Sequence, residues 1–139
     1  MAILYQAEDV KFPPMKRRNI TNWIKTVANS YQKKTGDIAF IFCSDKKILE
    51  INNQYLQHDY YTDIITFDYS EEDIISGDIF ISVDTVKSNA GKFGTDYNTE
   101  LNRIIIHGIL HLCGINDKAP GEREQMTECE NKALELLKE

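Results

Sequence analysis

The chain has 139 residues, 42% of them hydrophobic and 27% charged, and a formal net charge of −6. That length closes one core and is short for two, so a single domain over 1–139 is expected, and the balanced composition argues against a disordered chain. No apolar run approaches the roughly 20 residues of a membrane span, and the acidic balance excludes a surface that is basic throughout, so any contact with a polyanion must be local.

The start MAILYQAEDVKF lacks the basic-then-apolar layout of a signal peptide; AILYQ within it reads as a first strand, ended by acidic residues and Pro13-Pro14. Ile20, Trp23, Ile24, Val27 and Tyr31 recur at helical spacing, which predicts an amphipathic helix over about 16–34 with a basic entry, Lys16-Arg17-Arg18. Asn19-Ile20-Thr21 matches a glycosylation acceptor, a chance match in a chain without a secretion signal. Gly36-Asp37 predicts a turn into IAFIFC (38–43), whose β-branched and aromatic residues suit a buried strand. Ser44 and Asp45 are the N-cap candidates of a helix carrying Ile48, Leu49, Ile51, Asn52 and Tyr55. LQHDYYTD (56–63) has no period and reads as an ordered loop. IITFDY (64–69) and GDIFISV (77–83) read as strands joined through the acidic Glu71, Glu72 and Asp73, a hairpin at one sheet edge. A helix over about 84–93 and a break at Gly94-Thr95-Asp96 lead to a second helix over about 98–113. Pro120 suits the first turn of a last helix, with Met126, Cys129, Ala133, Leu136 and Leu137 on one face. The order βαβαββααα predicts an α+β (α/β layered) fold: one mixed sheet of about four strands packed with about five helices. Cys43, Cys113 and Cys129, odd in number and scattered, suit reduced thiols in a cytosol. The pairs Lys33-Lys34 and Lys46-Lys47 read as solvated faces.

The chemistry gathers in HGILHLCGIND (107–117). On the 98–113 helix, Glu100, Arg103, His107 and His111 fall on one stripe, while Leu101, Ile104, Ile105, Ile106, Ile109, Leu110 and Leu112 make the rest apolar and buried. Buried polar side chains need partners, and two imidazoles at i and i+4 share one most simply in a divalent metal ion. Gly108 leaves room for a substrate or another backbone, Gly114 fits a left-handed helix stop, and Asp117 then swings back. His107, His111 and Asp117 thus form a two-histidine, one-carboxylate site with an open position for water or substrate. Cys113 points away from the pair. His58, in the loop, reads as exposed sooner than as a ligand. A metal ion so held lowers the pKa of water and polarises carbonyl or phosphoryl oxygens. A protease of this type would carry Glu after the first histidine, where this chain has Gly108.

His107-Gly108-x-Leu110-His111-Leu112-x-Gly114 resembles the signature of the YbeY family of metal-dependent endoribonucleases. A second stretch is similar to that family too: Asn52-x-x-Tyr55-x-x-x-Asp59-x-x-Thr62-Asp63-Ile64-Ile65-Thr66-Phe67, with Gly77-Asp78-Ile79 and Glu100-Leu101 following in the right order. The resemblance covers about 37–138. It implies a metal-hydrolase-like fold, one bound Zn²⁺ on His107 and His111, and a cytoplasmic enzyme. The implied work is cutting single-stranded RNA in the maturation of the small-subunit ribosomal RNA 3′ end and in ribosome quality control. Its partners are then ribosomal RNA and the small subunit, with neither DNA nor membrane. Two departures bear on the site. The family's third histidine is Asp117 here, a competent ligand whose charge weakens the metal as a Lewis acid and loosens the choice of metal. The family's arginine after the motif tyrosine is Leu56, which leaves the phosphate clamp vacant or taken by Arg103, Lys46 or Lys47, of which Arg103 and Lys46 are the catalytic candidates. Glu100 and Arg103 read as a buried pair bracing the histidines in preference to direct chemistry. Thr62 and Asp63 read at least as readily as a turn into the next strand, and Tyr55 and Phe67 as core sooner than as base-stacking platforms. A peptidase, and a ribosome-associated factor with a structural metal, are the alternatives.

Overall fold

The computed structural model describes residues 2–56 and 62–137. The strands are β1 (Ile3–Ala7), β2 (Lys34–Cys43), β3 (Ile64–Asp68) and β4 (Ile74–Ser82); the helices are α1 (Arg17–Ser30), α2 (Asp45–Leu56), α3 (Val83–Phe93), α4 (Tyr97–Leu112) and α5 (Glu122–Glu135). Their order is the βαβαββααα of the sequence pattern. One four-stranded sheet runs β1-β2-β4-β3, with β1 and β4 parallel to β2 and β3 antiparallel to β4. The β3–β4 hairpin therefore does form one edge. This is the expected α+β layer with a mixed sheet and five helices.

Alternation along the strands splits the core in two. Ile38, Phe40, Phe42, Ile75, Ile79 and Ile81 point to one face, where they meet Ile20, Trp23, Ile24 and Val27 of α1, Val86 of α3, and the apolar body of α4. On the other face Cys43 and Ile65 meet Ile48 and Ile51 of α2, with Phe67 and Phe80 packed alongside. All seven apolar residues assigned to the histidine helix are buried, so α4 is a core helix with one polar stripe. Among the described residues no helix is long and apolar enough to cross a membrane.

Three local expectations are revised. Gly36-Asp37 lies within β2, where the register shifts between Thr35 and Ile38; the turn out of α1 comes earlier, at Tyr31-Gln32, with Gln32 at φ 62°. The chain absorbs the glycine as an irregularity in the ladder rather than a turn. Pro120 precedes the last helix, whose N-cap is Gly121. Tyr55 is 62% exposed, with an edge-to-face contact to Phe67 (5.9 Å between ring centroids) at the α2-side core. Ser44 does cap α2, its Oγ accepting from the Lys47 N–H at 3.1 Å.

Candidate metal centre

α4 starts at an Asp96 cap, whose carboxylate accepts from the Thr99 N–H at 2.7 Å. It ends in a Schellman turn: Gly114 N–H donates to the His111 carbonyl and Ile115 N–H to that of Leu110, both at 3.0 Å, with Gly114 at φ 96°. That left-handed residue turns the chain back over its own last turn and returns Asp117 to the histidines. Of the two uses expected of Gly108, the close approach of another segment is the one it serves. It is buried against the sheet, and a Cβ there would stand 3.1 Å from methyl carbons of both Ile64 and Ile79. It lets the helix approach β3 and β4 and does not open the site to substrate.

His107 Nε2 and His111 Nε2 lie 3.1 Å apart, and Asp117 Oδ2 is 3.4 Å from the first and 3.6 Å from the second. Ligands 2.0–2.1 Å from a tetrahedral zinc stand about 3.3–3.4 Å from one another, so the three atoms already hold the spacing of one face of such a shell. They are the His/Cys/Asp/Glu group of three that the described residues bring within metal-binding reach. Two imidazole nitrogens and one carboxylate oxygen suit zinc better than magnesium or calcium, which favour oxygen alone. The residues present fit the ion.

The surroundings are acidic and only partly wet. Glu130 of α5, 7% exposed, places Oε2 2.6 Å from His107 Nδ1 and Oε1 2.8 Å from Arg103 Nη1. Arg103 Nη2 donates to Asn131 Oδ1 at 2.7 Å. Burial works against a charged His107, but the Glu130 hydrogen bond and charge, with Asp117 and Asp63, outweigh it and hold its pKa above the usual value. His111 goes the other way, lowered by burial and by its neighbour His107. Asp63, at the entry to β3, is raised by burial, while His107 pulls it down and Glu130 adds to the rise. Its backbone carbonyl accepts from Ser82 N–H at 2.9 Å, extending the hairpin ladder, and its carboxyl lies within electrostatic reach of His107. Glu100 is buried, and that burial raises its pKa against the pull of Arg103.

Of the residues singled out from sequence, His107, His111 and Asp117 converge. Arg103 lies on the same stripe, but its guanidinium hydrogen-bonds Glu130 and Asn131 of α5 and reaches Glu100 only electrostatically. Lys46 is exposed in the first turn of α2, and Lys47 pairs with Glu8 at 3.5 Å. Leu56 ends α2, and His58 and Asp59 lie outside the described residues. Cys113 is a free, half-buried thiol pushed up to about 11, chiefly by burial, and packs with the larger core. Glu130 was missed. Its signal was there to read: an acid between Met126 and Ala133, on the face of the last helix that is otherwise apolar.

Fold and site together define a single-sheet α+β protein with a candidate metal centre at the end of a buried helix. A family model described as Endoribonuclease YbeY matches residues 3–138. Proteins named Endoribonuclease YbeY are similar along the whole chain: one from Parabacteroides distasonis is 68% identical over 139 residues, covering 100% of this chain and 98% of that one. Another, from Bacteroides thetaiotaomicron, is 67% identical over 136 residues, 98% of this chain and 99% of its own. The solution structure of TM1509 from Thermotoga maritima superposes with a TM-score of 0.67 at 29% identity, covering 98% of this chain and 89% of that one. The chain belongs to the YbeY family of endoribonucleases.

Proposed function

We propose that this chain is a zinc-dependent endoribonuclease that cuts single-stranded RNA, acting in the cytoplasm on the 3′ end of the small-subunit ribosomal RNA and in ribosome quality control. The observation that carries the reading is the convergence of His107 Nε2, His111 Nε2 and Asp117 Oδ2 within a chain of this family. These three residues hold the ion, which when bound supplies Lewis acidity toward water and the phosphoryl oxygens. The chain's own groups do the rest. Asp63, a carboxyl raised by burial and within electrostatic reach of His107, accepts the proton that the attacking water gives up. Lys46, exposed beside α2's start, meets a backbone phosphate, and Arg103 acts through Glu130. With a net charge of −6 the protein engages RNA through such local cations and through the ribosomal particle.

The test is cleavage of an RNA covering the small-subunit 3′ end by the purified, zinc-loaded protein. Activity is expected to vanish in His107→Ala and His111→Ala and to fall by about 10²-fold or more in Asp63→Asn. Equal cleavage by the histidine variants would mean that a contaminating nuclease, not this site, cuts the RNA.

A further inference from the structure

A carboxylate buried between two helices is ordinarily explained by an ion pair, and Glu130 has one with Arg103. Only one of its oxygens is spent there. Oε1 accepts from the guanidinium at 2.8 Å, while Oε2 lies 2.6 Å from Nδ1 of His107. Arg103 is itself held by two successive residues of α5, through Glu130 Oε1 and Asn131 Oδ1. The carboxylate is therefore fixed in place before it meets the imidazole. From these contacts we propose that Glu130 is the positioning residue of the metal centre: it fixes the ring and tautomer of His107, with Arg103 and Asn131 fixing Glu130.

The chemistry follows from donor and acceptor counts. A neutral imidazole has one N–H and one bare nitrogen, and an oxygen of a carboxylate already facing a guanidinium accepts. Oε2 thus takes the proton on Nδ1 and leaves Nε2 bare. Nε2 is the atom that faces His111 Nε2 and Asp117 Oδ2. The other tautomer would put an N–H into the metal position and lose the ligand. A carboxylate behind a ligating histidine also makes the nitrogen more basic, and loss of such a partner typically weakens metal binding by about 10–100-fold. His107 is thereby the centre's anchored ligand and His111 the one set by proximity to it.

The inference rests on His107 being a zinc ligand, and the experiment separates the two. Zinc affinity of the full chain and of Glu130→Gln is measured by competition with a chromophoric chelator, and side-chain ¹⁵N shifts of His107 are recorded in the metal-free, unmodified protein above the pH at which the ring titrates. The expected results are a weakening by about 10–100-fold in Glu130→Gln and, in the unmodified protein, a protonated Nδ1 with a bare Nε2. A role confined to bracing α4 against α5 would lower the melting temperature of the metal-free Glu130→Gln protein and leave its zinc affinity within twofold, which overturns the proposal. So does a protonated Nε2 in the unmodified protein, a result that needs no variant to fold. Failure of the unmodified protein to bind zinc sinks both readings; binding that ignores Glu130 sinks this one alone.

Discussion

Asp117 is the residue on which the site's chemistry turns, because among the described residues it is the one ligand candidate outside the helix. The two histidines were legible from spacing alone, since i and i+4 share a helix face whatever surrounds them. Asp117 was legible only with Gly114, whose positive φ reverses the chain. For Glu130 only the buried acid was legible, from its place between Met126 and Ala133; its contact with His107 spans 23 residues and depends on how α5 lies on α4, which periodicity does not encode. Tyr55 failed for a related reason: its helical spacing with Ile48, Ile51 and Asn52 is right, but spacing does not show where the packing partner of a helix ends, and the ring at the last turn of α2 is exposed. Asp117→Ala is expected to lose tight zinc binding, read as metal content after gel filtration, and full retention would remove Asp117 from the ligand set. Asp117→His should keep the ion and, by removing an anionic donor, make it a stronger Lewis acid. Restored binding with faster RNA cleavage than the parent is the expected pairing.

The site is carried by α4, and two of its features make predictions that concern the element more than any ligand. Gly108→Ala adds a helix-favouring methyl, worth about 1 kcal/mol in isolation. Here the methyl would press at 3.1 Å on Ile64 and Ile79, the second of them wholly buried. Overpacking a core costs about 1–3 kcal/mol, so the clash is expected to win, lowering the urea midpoint and lifting α4 from the sheet next to His107. A higher midpoint would show that β3 and β4 yield. At the other end, hydrogen bonds from Thr99 stabilise the ionised Asp96 and lower its pKa. A depressed carboxyl contributes stability that is present above its unfolded pKa and is lost as pH falls through the lower folded one. Asn also caps helices but has no charge to titrate. The urea-midpoint advantage of the parent over Asp96→Asn should therefore hold at pH 7 and close as pH drops below the ordinary carboxylate range; a gap that stays constant would mean the charge is irrelevant to the cap. Boundaries were legible to this extent: helices with a cap or a glycine stop fell within a residue or two of expectation. β2 began four residues early because a ladder can absorb Gly36-Asp37 as an irregularity.

For the molecule as a whole, the centre exists only where three parts meet: α4 with the histidines, the turn that returns Asp117, and α5 with Glu130. The strand order that brings α4 over β3 and β4 was not legible, because every strand has the same alternating grammar and the crossovers that set their order are long-range. α5 is held from α1 as well as from α4. Trp23 of α1 donates its Nε1–H to the Ala133 carbonyl at 2.7 Å, a buried bond across 110 residues, three positions beyond Glu130. Trp23→Phe removes the donor; the Ala133 carbonyl keeps the Leu136 N–H at 3.0 Å, so the expected loss is that of one buried hydrogen bond, about 0.5–1.5 kcal/mol. Unfolding is followed by circular dichroism, since the substitution removes the only tryptophan. α5 keeps its grip on α4 through Arg103, Glu130 and Asn131, so zinc affinity should fall by less than the about 10-fold lower bound set for Glu130→Gln. Excess zinc at about 100 times its Kd adds about 2.7 kcal/mol to whichever protein binds it, and that increment should be nearly the same in parent and variant. A Trp23→Phe protein within about 0.5 kcal/mol of the parent, the range of neutral surface changes, would show that α5 is seated by Met126, Ala133 and the ion pair alone.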